Sequence, residues 1–328
     1  MPPVVVSPDS FKGTLGAAEV AEAIAAGLEE FGWRADRCPV ADGGEGTLEV
    51  LREALGGAVL EADAHDPLGR SLRARFALLG DGRTALVEAA AASGLGLLAE
   101  GERDPEAAST AGTGELIAAA LAADAREVLI AAGGSATTDG GAGAIAALRE
   151  AGGPGGARLT VLCDVRTSFE RAAAVYGPQK GADPAAVRRL ARRLDELARD
   201  LPRDPRGMPM GGAAGGLSGG LWAAFGAHLV SGAAYVLDAV GFDARMLGAR
   251  AVVTGEGRLD EQTLAGKAAG EVAVRCRQHG VPCHAIVGRR AIDAFQQRML
   301  DLSSIDEAGD PAELRAAGRR LGERLRSP

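Results

Sequence analysis

The pattern that most restricts this chain occurs three times: a run that reads as a strand, a polar loop bearing glycine and acidic residues, then a helical stretch. Residues 4–7, 34–41 and 251–254 are the strand-like runs. The loops that follow are Pro8-Asp9-Ser10-Phe11-Lys12-Gly13-Thr14, Asp42-Gly43-Gly44-Glu45-Gly46-Thr47 and Gly255-Glu256-Gly257-Arg258-Leu259-Asp260. Residues 17–31 then place Val20, Ile24, Ala25 and Leu28 on one helix face, and Ala-rich helical sequence resumes at Ala268. Strands alternating with helices predict a doubly wound parallel sheet, with ligands outside the carboxyl ends of its strands. Two units lie at the start of the chain and one near its end. The spacing therefore predicts one α/β domain built from residues 1–60 and 241–328, with residues 61–240 inserted as a second, mixed-sheet α/β domain.

The inserted part reads differently. Residues 58–64, 72–79 and 84–89 are strand-like, and Asp81-Gly82 is a hairpin signal between the last two. A helix is expected over 113–123, a strand over 127–132, a Gly-rich loop over 133–141 and a strand over 159–164. Asp183 and Asp310 precede periodic helical runs over 184–201 and 311–325 as N-caps, and residues 283–287 read as a further strand. Residues 208–237 carry no Asp, Glu, Lys or Arg before Asp238, but glycine and serine interrupt them and no Arg cluster abuts them, so they read as a buried loop and helix.

A chain of 328 residues needs more than one core. A formal charge of −8 without any basic block speaks against a nucleic-acid partner. The four cysteines lack a Cys-x-x-Cys spacing and only four histidines are present, which argues against structural zinc and a disulfide framework. No charged leader precedes Val4, so a cytoplasmic protein with no membrane association is expected. Asn is absent, and three Lys stand against 33 Arg. Lys12, Lys180 and Lys267 each adjoin a glycine, and a compact ammonium is not interchangeable with a forked guanidinium at a phosphate.

The loops carry the chemistry. Gly133-Gly134-Ser135-Ala136-Thr137-Thr138-Asp139-Gly140-Gly141 offers successive N–H groups before a helix near Ala142, a phosphate cradle or else a tight turn capped by Asp139. Asp9, Ser10 and Lys12 bring an acid, a hydroxyl and an ammonium together, and Asp42 and Glu45 put two carboxylates on one glycine loop. The Walker pattern fails at Gly266-Lys267, where position 268 is Ala. Residues 141–146 match G-x-G-x-x-A, a weak dinucleotide signal without a strand directly before it. Acids, ammonium groups and glycine cradles suit phosphoryl transfer, which rests on positioning and charge stabilisation.

Seven segments together resemble the bacterial glycerate kinases that act on D-glycerate. They are residues 8–14, 39–47, 109–117 (Ser-Thr-Ala-Gly-Thr-Gly-Glu-Leu-Ile), 133–141, Tyr176-Gly177-Pro178-Gln179-Lys180-Gly181-Ala182, Gly212-Ala213-Ala214-Gly215-Gly216, and 254–263 with Gly266-Lys267. They run in the family's order over nearly the whole chain. The resemblance implies a flavodoxin-like domain from both chain ends, an inserted second domain, a site between the two, and ATP, Mg²⁺ and D-glycerate as ligands. Two departures stand out: Arg166-Thr167-Ser168-Phe169 follows Cys163-Asp164-Val165 where the family usually has Asn-Pro-Leu, and residues 151–157 are shorter than usual.

On that basis Lys12, Arg258 and Lys267 are expected to hold the carboxylate and the moving phosphoryl group, with Asp42 or Asp260 as base. Asp9, Ser10, Gly43, Gly44 and Glu45 are expected at the substrate. Gly133, Gly134, Ser135, Thr137, Asp139, Gly140 and Lys180 are expected at the nucleotide, and Glu256 and Asp260, or Glu45, at the metal. The product expected is 2-phosphoglycerate. The alternatives are the 3-phosphate, a kinase for a related small hydroxy acid, a nicotinamide-dependent hydroxyacid oxidoreductase, or a non-catalytic binding protein. Either a monomer or a homodimer is compatible.

Overall fold

A computed structural model describes residues 2–264 and 266–326. The chain divides into two units, one of residues 1–42 and 233–328 and the other of residues 43–232. The changeover falls before residue 60, because the helix Thr47–Leu55 packs on the strands of the second unit and Glu88 of that unit accepts from the Leu48 N–H at 2.9 Å.

The strands, in chain order, are β1 (Val4–Pro8), β2 (Ala35–Arg37), β3 (Gly57–His65), β4 (Ser71–Leu79), β5 (Thr84–Glu88), β6 (Glu127–Ala131), β7 (Arg158–Cys163), β8 (His228–Ser231), β9 (Ala251–Gly255), β10 (Arg258–Leu259), β11 (Cys283–Val287), β12 (Arg289–Arg290) and β13 (Leu302–Glu307). The first unit is a fully parallel sheet in the order β13-β11-β9-β1-β2. Counted within that sheet the order is 2-1-3-4-5, the flavodoxin-like winding, whose switch point lies between β1 and β9. Val4, Val6, Val253 and Ile286 share a core with the helices Ala17–Glu29 and Pro311–Arg324. Val5 and Val252, equally buried, alternate to the other side, where the helix Ala268–His279 covers β9, β1 and β11. Both faces are covered, as a parallel sheet requires. The second strand, Ala35–Arg37, is shorter than the expected 34–41, although the Cys38 and Val40 N–H groups on either side of Pro39 still donate to the Val6 and Pro8 carbonyls.

The second unit is a six-stranded mixed sheet in the order β3-β4-β5-β6-β7-β8. β3, β4 and β5 pair antiparallel through the expected hairpin, and β5 to β8 run parallel. The Gly-rich run of 211–220 is a short turn, Ala213–Gly216, leading into the buried helix Leu217–Phe225. Among the described residues no helix is long and apolar enough to cross a membrane.

Candidate active site

At the switch point of the first unit, the carboxyl ends of β1 and β9 open into a cavity of about 450 Å³. Asp9, Ser10, Lys12, Asp42, Glu256, Arg258, Asp260 and Lys267 all line it. Eight residues singled out in the sequence, from three loops, thus meet in one place. Asp9 leaves β1 with its N–H on the Gly255 carbonyl at 2.8 Å, and its own carboxylate accepts from the Ser10 N–H at 2.6 Å. Lys12 reaches back to Asp42, Nζ to Oδ2 3.4 Å, with the ammonium half exposed and the carboxylate buried.

Glu256 begins the loop after β9. The Thr263 hydroxyl donates to its Oε1 at 2.5 Å, and that hydroxyl oxygen accepts from the Asp260 N–H at 3.2 Å. Asp260 is held at both oxygens: the Gln262 N–H donates to Oδ1 at 2.9 Å, and Arg258 Nε lies 3.3 Å from Oδ2. Burial shapes the acids most. It lifts Asp9 well above the ordinary carboxylate range, with the Asp42 charge adding to the rise. It also pushes Glu256 up to about 7, against the Thr263 hydrogen bond and the Lys267 charge. This is the electrostatics expected where titratable groups are tuned for function.

The donor set here is carboxylate oxygen. Among the described residues no three His, Cys, Asp or Glu groups close into a metal cage. Mg²⁺ takes only one or two carboxylates, keeping waters and borrowing phosphate oxygens, so it fits this donor set.

The other predicted residues belong to the second unit. Gly43 and Gly44 lie against the 133–141 loop: the Gly133 N–H donates to the Gly43 carbonyl at 3.2 Å, and a Cβ at Gly133 would come within 2.5 Å of the Gly44 Cα. Only glycine permits that approach. Lys180 is 3% exposed and runs beneath the loop, with Nζ 2.9 Å from Ser135 Oγ and 2.5 Å from the Thr137 carbonyl oxygen. Its burial lowers the ammonium to about 8.

Asp139 is turned inward. It accepts from Thr110 N–H and Oγ1 and from the N–H groups of Gly141 and Gly143, at 2.8 to 3.1 Å, tying the helices Ala111–Ala122 and Ala142–Glu150 together. These contacts hold the turn that leads into the helix Ala142–Glu150, whose N-cap is Gly141 and not Asp139. The G-x-G-x-x-A match runs into that same helix, where a Cβ at Gly143 would strike Ser109 Oγ at 2.2 Å, so these glycines serve helix packing. Within the loop only Gly134 is exposed, and the Thr137 and Thr138 hydroxyls are buried without a partner among the described residues.

Three residues escaped the sequence analysis as site members. Thr263 stood inside a quoted motif without a role, although a hydroxyl three residues after an acid is a local hydrogen-bonding signal. Arg289 also lines the cavity, one residue beyond the Val287-Gly288 strand end, the same strand-to-glycine signal that marked the other loops. Glu88 ends β5, its carboxyl pushed up to about 7 by burial, and braces the 43–47 loop.

The family model described as "Glycerate kinase family" matches residues 4–151 and 154–322. The chain belongs to the glycerate kinase family. Among its relatives, a protein named glycerate kinase from Bacillus subtilis (strain 168) is 41% identical, covering 94% of this chain and 92% of that protein. One named glycerate 2-kinase from Escherichia coli (strain K12) is 36% identical, with 93% and 92% covered. A crystal structure from Salmonella typhimurium LT2, carrying the name glycerate kinase 2, superposes with a TM-score of 0.83 at 34% identity and covers 99% of this chain and 98% of its own. The chain is thus a kinase with the family's two-part α/β architecture.

Proposed function

We propose that this glycerate kinase transfers the γ-phosphoryl group of ATP to the 2-hydroxyl of D-glycerate, releasing ADP and 2-phospho-D-glycerate. The observation that carries the proposal is the switch-point cavity, where buried carboxylates and ammonium groups from three loops converge. A relative named for 2-phosphorylation, 36% identical along nearly the full chain, supports the position.

Asp42 is the proposed base. Asp42 is buried in the cavity lining, with the Lys12 ammonium 3.4 Å from its Oδ2. Asp42 takes the proton as the substrate oxygen bonds to phosphorus and the bond to the ADP oxygen breaks. Lys12 and Lys267 neutralise charge on the moving group, and Asp9 and Ser10 border the substrate. Mg²⁺ held by Glu256 and Asp260 would offset the charge of the phosphate oxygens. In the second unit, the Gly134 and Ser135 backbone, shaped from below by Lys180, is proposed to hold nucleotide phosphates, with Gly43 and Gly44 bracing the loop and Glu45 exposed beside them.

The test is ADP release with D-glycerate, followed by ³¹P and ¹³C NMR of the product. ADP release that does not depend on D-glycerate would overturn the proposal, and phosphorus coupled to C3 rather than C2 would correct its position.

A further inference from the structure

We propose that Arg289, paired with Arg258, reads the substrate carboxylate and makes the cavity selective for a hydroxy acid; this rests on the kinase proposal above. Arg258 in β10 and Arg289 in β12 are in-register partners of a two-residue parallel ladder, and both line the cavity. Neighbouring strands lie about 4.8 Å apart, and paired residues share a face, so the two arginine side chains leave the backbone side by side into the same cavity lining.

The ladder is pinned at both ends. The Gly288 N–H donates to the Glu256 carbonyl at 3.0 Å and the Ala291 N–H to the Leu259 carbonyl at 2.8 Å. A Cβ at Gly288 would fall 2.6 Å from the Gly257 carbonyl oxygen, so glycine is what lets the strands close. A chain held this tightly does not bring two like charges together by looseness.

The cavity's other cations each have an acid. Lys12 faces Asp42, Arg258 faces Asp260, and the Lys267 charge acts on Glu256. Among the described residues Arg289 makes no side-chain hydrogen bond or ion pair. An anion between the two guanidinium groups relieves their repulsion, and the planar fork of arginine matches the two oxygens of a carboxylate. The reacting hydroxyl belongs at Asp42, on a different loop. The carboxylate is the remaining anionic end of the substrate, and the arginine pair is the remaining cationic wall.

Arg289→Ala and Arg289→Lys, with Arg289→Gln as a second neutral replacement, are assayed with D-glycerate and with D-glyceramide as substrate or competitive inhibitor. The alanine variant is expected to lower kcat/KM for D-glycerate by roughly 30-fold, chiefly through KM, as loss of a charge-assisted hydrogen-bond pair implies. The amide should change by no more than about twofold, since it never used the charge, and the lysine variant should recover only part, for want of a fork. Equal losses on acid and amide, an unchanged KM for D-glycerate, or a loss falling on KM for ATP would each overturn the assignment. If the wild type itself releases no ADP with D-glycerate, the kinase proposal fails separately. Calorimetric titration of D-glycerate into wild type and Arg289→Ala then decides, with equal Kd values refuting the role of Arg289.

Discussion

Replacing Lys180 with methionine tests the description of the second unit most directly. The side chain keeps its length but loses the ammonium that spans Ser135 Oγ and the Thr137 carbonyl. Burial lowers that ammonium from 10.5 to about 8. At 1.36 kcal/mol per unit, keeping it charged near neutral pH costs the folded state about 3 kcal/mol. Methionine removes that cost but leaves a hydroxyl and a carbonyl unsatisfied, worth about 1–3 kcal/mol each, so the two changes nearly cancel at pH 7. The pH dependence does not cancel. Between pH 8 and 10.5 the unfolded chain holds a proton that the folded chain has released, so wild-type stability must rise with pH relative to Lys180→Met. Urea unfolding of both proteins at pH 7, 8, 9 and 10 should show the difference growing by about 2–3 kcal/mol in favour of the wild type. Parallel curves would refute the buried-ammonium account. In the same variant KM for ATP should rise while KM for D-glycerate stays within about twofold, since Lys180 belongs to the loop proposed for the nucleotide.

The parallel sheet was legible because its grammar is local. Val4–Pro8 and Ala251–Gly255 are short, β-branched apolar runs followed by an acid, Asp9 and Glu256, and such runs read as buried strands with polar loops at their carboxyl ends. Asp183 and Asp310 announced their helices as N-caps for the same reason, and both accept backbone N–H groups as expected. What was hidden was direction and depth. Lys180 and Asp139 sit in glycine-rich motifs that suggest ligand contact, and both side chains also bond within the protein, Lys180 to Ser135 and Thr137 and Asp139 to Thr110, Gly141 and Gly143, a matter of rotamer and burial that spacing cannot express. Arg289 was hidden because its meaning lies in being beside Arg258, and a two-residue ladder joining positions 31 apart leaves no periodicity to read. Glu88 looked like the polar end of a strand. Its role depends on the first turn of a helix 40 residues earlier folding over it.

Further outcomes follow from the cavity and its supports. Lys12→Ala and Lys267→Ala should each lower kcat/KM for D-glycerate by at least about 100-fold in the ADP assay, as loss of charge stabilisation at a phosphoryl group implies, and near wild-type values would mean the site is misplaced. Thr263→Val, which strips the hydrogen bond from Glu256, should raise the Mg²⁺ concentration for half-maximal rate by about tenfold, with Thr263→Ser restoring it; a titration that fails to move would separate Thr263 from metal binding. Asp139→Ala leaves several buried donors unpaired and should cost about 3–5 kcal/mol, read as a fall in thermal midpoint. Glu88 provides a pH test of opposite sign to Lys180. Its carboxyl rises from 4.5 to about 7 on folding, so its contribution is fully present below pH 4.5 and is lost as pH climbs through 7. Wild type should therefore lose up to about 3 kcal/mol between pH 4.5 and 8 relative to Glu88→Gln, whose amide can still accept from the Leu48 N–H but carries no charge to bury. Were the two proteins to keep a constant stability difference across that range, the carboxylate would have to be solvated, and its place beneath the 43–47 loop would be wrong.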